Sequence, residues 1–251
     1  MTAPLFFADD LVGARVGDRV LLAGDEGRHA ATVRRLKVGE PIQLADGAGL
    51  VLSGVVASVD GPSLQVRVER VRREPDPAPS FTLVQALAKG DRDDQAIEAA
   101  TELGVDTIVP WQADRSIVQW RGPRGDRALA KWRGVVRAAA KQSRRATIPV
   151  VEPAMDTKGL ARRTSSGRLT LVLYEEATTP IAAVDLPADG EVAVVVGPEG
   201  GISPAELGAL TGAGAISVRL GSTVLRSSSA GPAALAVLLA RTRWDVAQPI
   251  E

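Results

Sequence analysis

The 251-residue chain contains no cysteine, one histidine and one tyrosine. The absence of cysteine excludes disulfides, thiolate metal sites and a cysteine nucleophile. Because His29 is the single imidazole, a histidine-rich metal site is excluded as well, and we expect no metal. No apolar run approaches the roughly 20 residues that a membrane span requires.

The N-terminal stretch MTAPLFFADDLVGARV also lacks a basic segment followed by a long apolar one. We therefore expect a cytoplasmic protein that has no membrane partner. Thirty basic residues balance thirty acidic ones, and the net charge is zero. An overall field cannot attract nucleic acid under these conditions, so any RNA-binding surface must come from basic residues gathered locally.

The most informative stretch is EVAVVVGPEGGISPAEL, residues 191–207. Its first half has no polar alternation, which is typical of a strand buried on both faces of a parallel sheet. Ser203-Pro204-Ala205-Glu206 predicts the start of a helix, with Ser203 as the N-cap. The glycines between them would let a ligand approach the backbone at the carboxyl end of a strand. A GPEGG loop can also be a plain connection.

A second loop of the same kind favours a binding site. Residues 215–220 form another short apolar stretch, the polar and glycine-containing residues 221–231 follow, and residues 232–239 predict an alanine- and leucine-rich helix. The two loops predict two places near the C-terminus where the backbone is open to a ligand.

VVGPEGGISPAEL followed by RLGSTVLRSSSAGPAAL resembles motifs two and three of the SPOUT methyltransferases and is most similar to the RsmE family. The resemblance implies an α/β fold with a C-terminal knotted parallel-sheet domain that binds S-adenosylmethionine. It further implies a homodimer with its site near the dimer interface. The activity that it implies is methylation of N3 of a uridine in 16S rRNA of the small ribosomal subunit.

The first 73 residues predict short strands at 19–22, 41–44, 49–58 and 64–71, which a small β-barrel would accommodate. Residues 27–39 predict a short helix that resembles the "H…VLR…G" opening of RsmE proteins, where a PUA-like barrel helps to hold RNA. The basic residues of this segment could be a solvated face. We expect them to contact RNA and His29 to pack rather than catalyse; they are Arg28, Arg34, Arg35 and Lys37.

Three prolines in residues 74–80 predict a stiff extended linker. The sequence thus divides into a barrel at 1–73, a linker at 74–80 and a methyltransferase domain at 81–251. In the last part, residues 81–87, 91–103 and 105–110 predict a strand, a helix and a strand. The segment from Lys89 to Asp106 resembles motif one of the family, with Ala99 where lysine is frequent, and we assign its Arg92 to RNA.

Residues 126–145 predict a helix rich in basic residues, on which Trp132, Val136, Ala139 and Ser143 can pack on another side. Like charges at i,i+4 spacing repel, which favours an anionic partner, although an ordinary exposed helix is the alternative. Residues 140–144 resemble the family's A-E-Q-S-x-R segment, with Lys141 in place of glutamate. The residues assigned to RNA here are Arg115, Arg133, Arg137, Lys141, Gln142, Arg144 and Arg145.

The cofactor is expected to bind mainly to backbone groups of the two loops, with the end of strand 169–174 as a further wall. The residues assigned to it are Leu173, Gly197, Glu199, Gly200, Gly201, Leu220, Gly221 and Leu225. Arg226 is the catalytic candidate, because a guanidinium can stabilise the uracil anion that forms when N3 loses its proton. The alternative is a structural clamp on a loop carbonyl.

Three roles are open for Glu199: general base, neighbour of the cofactor, or cap of the next helix. Ser228 stands where the family has glutamate, so that position supplies no base. Two other functions are alternatives: a Rossmann-type nucleotide-binding enzyme, although no G-x-G-x-x-G occurs, and an inactive RNA-binding ribosome-assembly factor.

Overall fold

The computed structural model describes residues 3–244, so the outer ends of the first and last predicted domains lie outside the described residues. The chain forms two compact units. The first comprises the residues up to Asp76 together with Ala140–Ile148, and the second comprises Pro77–Ala139 and the residues from Pro149 onward. Segment 140–148 therefore packs in the first unit, a return of the chain that the linear division of the sequence did not include.

The first unit contains a five-stranded sheet in the order β1-β3-β4-β5-β2. Its pairs are antiparallel except for the parallel pair of β1 with β3. The strands are β1 (Leu5–Phe7), β2 (Arg19–Leu22), β3 (Pro41–Ala45), β4 (Leu50–Asp60) and β5 (Ser63–Arg73). Four of the five coincide closely with the strands predicted from the sequence.

Two register shifts between β4 and β5, at Ser53/Gly54 and Val56/Ser58, bend these long strands. A Cβ at Gly54 would lie 2.1 Å from the carbonyl oxygen of Arg67, so only glycine fits at the first shift. The bent sheet encloses a core of its inward-facing aliphatic residues, Phe6 and the small residues around Ala30. This is the PUA-like part of the fold.

The helix predicted at 27–39 is shorter and begins earlier in the structure. Helix α1 (Gly24–Arg28) continues as a π-helix over His29–Val33. The helical segment ends there, and Arg35 has a φ of 54°, which a continuing helix does not allow. The basic residues Arg34 and Lys37 consequently lie on an exposed turn rather than on a helix.

In the second unit, a parallel sheet of seven strands has the order β12-β10-β11-β6-β7-β8, with β9 also paired to β7. The strands are β6 (Ser80–Ala86), β7 (Thr107–Gln112), β8 (Val150–Val151), β9 (Met155–Asp156), β10 (Leu169–Leu173), β11 (Glu191–Val196) and β12 (Ile216–Val218). Residues Val192–Val196 are buried, which confirms the prediction of a strand covered on both faces. The order of the strands places β11 between β10 and β6.

After residue 90, the described part of the chain contains five further α-helices: α2 (Arg92–Leu103), α3 (Gly122–Gln142), α4 (Thr157–Thr164), α5 (Pro204–Gly212) and α6 (Ser227–Ala240). A 3-10 turn covers Ile181–Ala183. Helix α2 ends at Gly104, whose φ is 119°, and Val105 N–H then bonds to the Ala100 carbonyl. The backbone N–H of Val105 is used in this helix cap, and β7 therefore starts at Thr107 rather than at the predicted residue 105.

The predicted basic helix is present as α3, but it ends at Gln142, three residues before the predicted end. Arg144, just beyond it, has a φ of 58°, which a continuing helix does not allow. Arg145 therefore does not continue the predicted helical stripe. The predicted packing side is confirmed for Trp132, Val136 and Ala139, which are buried, whereas Ser143 lies beyond the end of the helix and is half-buried. Among residues 3–244, no helix is long and apolar enough to cross a membrane.

Candidate functional site

A cavity of about 760 Å³ lies at the carboxyl ends of the parallel strands. Its walls come from segments that follow five strands: the start of α2 after β6, the loop after β7, residues 173–176 after β10, the loop after β11, and residues 218–226 at β12. This edge is where open α/β sheets bind ligands, and the volume is that of a small-molecule site.

The structure brings together in this one cavity all the residues that the sequence assigned to a cofactor, together with the catalytic candidate Arg226. They are Leu173, Gly197, Glu199, Gly200, Gly201, Leu220, Gly221 and Leu225. The two glycine-containing loops, which are separated by residues 202–219, therefore face one cavity. That convergence is the geometric condition that a two-loop binding site requires.

The GPEGG loop after β11 is folded tightly. Gly201 has a φ of 71° and its N–H donates to the Pro198 carbonyl over 2.8 Å, which closes a turn. At Gly197 a Cβ would lie 2.7 Å from Cγ1 of Ile202, whose side chain is buried. Glycine at these positions is thus required by the loop itself, and the backbone stays open towards the cavity.

Two arginines hold this loop. The Arg115 guanidinium donates to the Gly200 carbonyl over 2.9 Å. The Arg92 guanidinium donates to Oε1 of Glu199 over 2.7 Å. Burial raises the pKa of Glu199, but hydrogen bonds from its own N–H and from Arg92 outweigh burial, so the net pKa is lowered. Glu199 is therefore an ion-paired carboxylate.

Helix α5 begins with the predicted capping box. Ser203 Oγ accepts the Glu206 N–H over 3.2 Å, and Glu206 accepts the Ser203 N–H over 3.0 Å. Glu206 is 2% exposed and also accepts the Asp114 N–H over 2.8 Å and the Thr157 hydroxyl over 2.9 Å. The acid of the cap is thus Glu206 rather than Glu199, and it ties the loop that carries Arg115 to the start of α5.

The second loop leaves backbone donors for a ligand. Within the described chain, no group hydrogen-bonds to the backbone N–H groups of residues 221–225. A Cβ at Gly221 would meet no atom within 4 Å, so the space beside it is open. Unpaired backbone N–H groups beside apolar Leu220 and Leu225 fit the polar edge and the flat face of an adenine. The residues present therefore fit S-adenosylmethionine.

Arg226 lies just before α6, and its carbonyl accepts the N–H groups of Ser229 and Ala230. Its side chain is exposed at the cavity and has no hydrogen bond or ion pair with any residue in 3–244. The proposed clamp on a loop carbonyl is not present. In this structure the clamp is Arg115 instead.

The residues predicted to bind RNA fall in both units. In the first unit, Lys141 Nζ lies 2.6 Å from Glu26 Oε2 and 2.9 Å from His29 Nδ1, so segment 140–148 lies against α1 and the π-helix. The first-unit set is Arg28, Arg34, Arg35, Lys37, Lys141, Gln142, Arg144 and Arg145; the second-unit set is Arg92, Arg115, Arg133 and Arg137. His29 packs edge-on against Phe6, as predicted.

Several of these cations already have partners in the protein. Lys141 pairs with Glu26, Arg28 with Asp25, and Arg92 with Glu199. Arg133 donates to the Val151 carbonyl over 3.4 Å. Arg34, Arg35 and Lys37 are exposed on their turn. Four of the predicted RNA-binding residues are thus already held by other groups of the protein.

The end of β10 lines the cavity through Tyr174, Glu175 and Glu176, at the wall that the family resemblance implied. Tyr174 donates its hydroxyl to Glu176 over 3.2 Å, and this hydrogen bond raises the pKa of the phenol. Sequence reasoning missed Arg219, which also lines the cavity. No group of potential metal ligands occurs among residues 3–244.

Two family models match the chain. The RNA methyltransferase domain matches residues 74–239, and the RNA methyltransferase PUA domain matches residues 22–69. A relative named ribosomal RNA small subunit methyltransferase E, from Mycobacterium bovis, is 47% identical over 250 residues, which cover 98% of this chain and 95% of the relative. The protein of the same name from Bacillus subtilis is 28% identical, with 88% and 90% covered.

Solved structures of methyltransferases also match this chain. Ribosomal RNA small subunit methyltransferase E from Neisseria gonorrhoeae, bound to S-adenosyl methionine, superposes with a TM-score of 0.86 at 28% identity over 96% of this chain and 98% of that one. A putative methyltransferase from Legionella pneumophila in complex with the same cofactor has a TM-score of 0.82 at 26% identity, over 96% and 99%. These matches exclude the Rossmann-type alternative. The chain belongs to the ribosomal RNA small subunit methyltransferase E family of RNA methyltransferases.

Proposed function

We propose that this protein transfers a methyl group from S-adenosylmethionine to N3 of a uridine in 16S rRNA of the small ribosomal subunit. The observation that carries the proposal is the convergence of the two glycine-containing loops and Arg226 on one cavity. The names of the relatives, which act on small-subunit rRNA, and the cofactor in the solved structures support it.

S-adenosylmethionine supplies a methyl group on a positively charged sulfur, so neither a metal nor a covalent nucleophile is needed. The chain has to hold the cofactor and the uracil in line. The GPEGG loop and residues 220–225 are the groups that would hold the cofactor, through backbone donors and apolar contact with Leu220 and Leu225. The rigid anchoring of the GPEGG loop by Arg92 and Arg115 serves this orientation.

The uracil N3 carries a proton, whose loss leaves negative charge shared with O2 and O4. The unpaired Arg226 guanidinium at the cavity is the group that would stabilise this charge, as an oxyanion hole does. Glu199 is a poor candidate for the base because it is ion-paired and its pKa is lowered.

RNA would be held by exposed cations, chiefly Arg34, Arg35, Lys37 and Arg144 of the PUA-like unit. Such contacts bind phosphates and make affinity depend on salt, without selecting the sequence. We further propose a cytoplasmic homodimer with the site near the dimer interface and a knotted C-terminal domain, as the family resemblance implies.

Calorimetry with purified protein tests the proposal. S-adenosylmethionine should bind with one site per chain in the absence of RNA, and a nicotinamide or flavin nucleotide should not bind. An inactive ribosome-assembly factor would bind small-subunit RNA but give no heat with the cofactor, and that result would overturn the enzymatic proposal.

A further inference from the structure

We propose that Glu199 is a positioning residue that latches the GPEGG loop to the β6–α2 connection through Arg92, and so shapes the cofactor site. The inference rests on the proposed function, because it assigns a role within the S-adenosylmethionine site. It gives Arg92 a role other than the RNA contact predicted from the sequence. Glu199, which was assigned to the cofactor with the role of base or cap also open, is given a positioning role in that same site.

The latch is the ion pair between Glu199 and Arg92. Glu199 Oε1 accepts from the Arg92 guanidinium over 2.7 Å, and the backbone N–H groups of Lys89 and of Glu199 itself help to lower the pKa of the carboxyl. A charge-assisted hydrogen bond of this length is about twice as strong as a neutral one. One side chain of the loop is therefore tied to the first residue of α2, directly after the β6–α2 connection.

The loop needs such anchors because its own residues supply little packing. Gly200 and Gly201 have no side chain, and both are exposed. Their conformation is fixed by a backbone turn, by the Arg115 contact to the Gly200 carbonyl, and by the Glu199 latch. The two arginines come from segments that follow β6 and β7, the two strands on one side of β11 in the sheet. Both anchors of the loop therefore lie on that side of β11.

The same contacts argue against proton transfer by Glu199. An acceptor must have a free lone pair directed at the substrate and a pKa near the working pH. Here the carboxylate is ion-paired with Arg92, and its pKa is lowered in spite of burial. Protonation of Glu199 would weaken this ion pair.

The dissociation constant for S-adenosylmethionine, which can be measured without RNA, distinguishes the two roles of Glu199. Loss of a latch weakens cofactor binding, whereas loss of a base leaves it unchanged. By calorimetry we expect Glu199→Gln and Arg92→Gln each to weaken cofactor binding about tenfold. The double variant should bind no more weakly than either single variant, because both changes open the same latch. Arg92→Lys keeps the charge and should lie between the wild type and Arg92→Gln.

Glu69→Gln is the matched control. It breaks an ion pair of similar length, 2.8 Å to Arg67, on β5 and outside the cavity, and it should leave the dissociation constant unchanged. Thermal melting of each variant shows that it is folded before titration, and Arg92→Lys provides a conservative variant if a glutamine variant does not fold.

Unchanged cofactor binding in folded Glu199→Gln would overturn the proposal, as would a double variant whose loss is the sum of the two single losses. A loss of turnover at unchanged cofactor affinity would return Glu199 to the role of base. If the wild-type protein itself fails to bind S-adenosylmethionine, the proposed function fails instead, so the two failures are distinct.

Discussion

The Nζ atom of Lys141 lies 2.6 Å from Oε2 of Glu26, in the first unit of the structure. The side chains are only 23% and 20% exposed. Nζ also lies 4.9 Å from the centre of the Phe6 ring. Lys141 stands where the family's A-E-Q-S-x-R segment has glutamate, so the cation that replaces an acid here has acquired an acidic partner on α1.

Lys141→Met should lower the free energy of unfolding by about 1–3 kcal/mol, because Glu26 then loses its partner while it stays half-buried. Urea unfolding measures this. The reversed pair, Glu26→Lys with Lys141→Glu, should recover part of the loss. Arg67→Met removes an exposed ion pair and should cost about 1 kcal/mol or less. Equal losses of stability in Lys141→Met and Arg67→Met would contradict this account of the Lys141–Glu26 pair.

Asp93 gives a pH-dependent prediction. Burial first, and then the charge of Asp94, raises the pKa of this carboxyl from 3.8 to about 6. The folded state thus binds the proton more tightly than the unfolded state, so Asp93 costs stability as pH rises from about 4 to 6 and costs a constant amount above that. The cost is at most about 3 kcal/mol.

Asp93→Asn should therefore be more stable than the wild type at pH 7.5, and this advantage should largely vanish near pH 4. Urea unfolding at the two pH values measures the difference. Glu98→Gln, an exposed acid on the same helix, should change the unfolding free energy by about 0.5 kcal/mol or less at both. An Asp93→Asn advantage that does not depend on pH would contradict the prediction.

Gly197→Ala tests the shape of the GPEGG loop. The added methyl group would lie 2.7 Å from Ile202 Cγ1, so either the loop or the buried isoleucine must move. We expect a loss of about 1–3 kcal/mol in stability from overpacking and a several-fold weaker affinity for S-adenosylmethionine.

Gly208→Ala is the matched control for Gly197→Ala. Gly208 lies inside α5, and a Cβ there would meet no atom within 4 Å. Alanine should raise stability by about 0.5–1 kcal/mol and leave cofactor affinity unchanged. Normal cofactor binding by Gly197→Ala would show that the loop does not shape the site.

Arg226→Ala should lower turnover by about 100-fold, while the dissociation constant for S-adenosylmethionine changes by about threefold or less. The reason is that the Arg226 side chain has no partner among residues 3–244 and is exposed in the cavity, where the charge of the uracil anion would develop. Single-turnover kinetics and calorimetry on the same preparation separate the two quantities. Equal losses in turnover and in cofactor affinity would contradict the catalytic role of Arg226.

Local features of the fold were predictable. Ser203 and Glu206 cap α5 as predicted, because both partners lie within one turn. The buried strand at Val192–Val196 was equally clear. The loops were recognisable from the residues around Gly197 and Gly221, and the structure places them in one cavity.

Long-range contacts were not predictable, because no local pattern encodes them. Glu206 bonds to the Asp114 N–H across 92 positions of sequence, and Arg92 reaches Glu199 across 107. The end of α3 also escaped prediction, since Arg144 adopts a φ of 58° without a glycine to signal it. Segment 140–148 belongs to the first unit because Ala140 and Ala146 pack against buried residues of β1, β3 and β4. No local sequence pattern predicts this packing.

The most direct measurement is mass spectrometry of nucleosides from 16S rRNA of cells that lack this protein, compared with the same cells carrying the wild-type chain or Arg226→Ala. The account predicts that one N3-methylated uridine disappears in the deletion strain and returns with the wild-type chain but not with Arg226→Ala. Small-subunit RNA that keeps every methylated uridine in the deletion strain would contradict it.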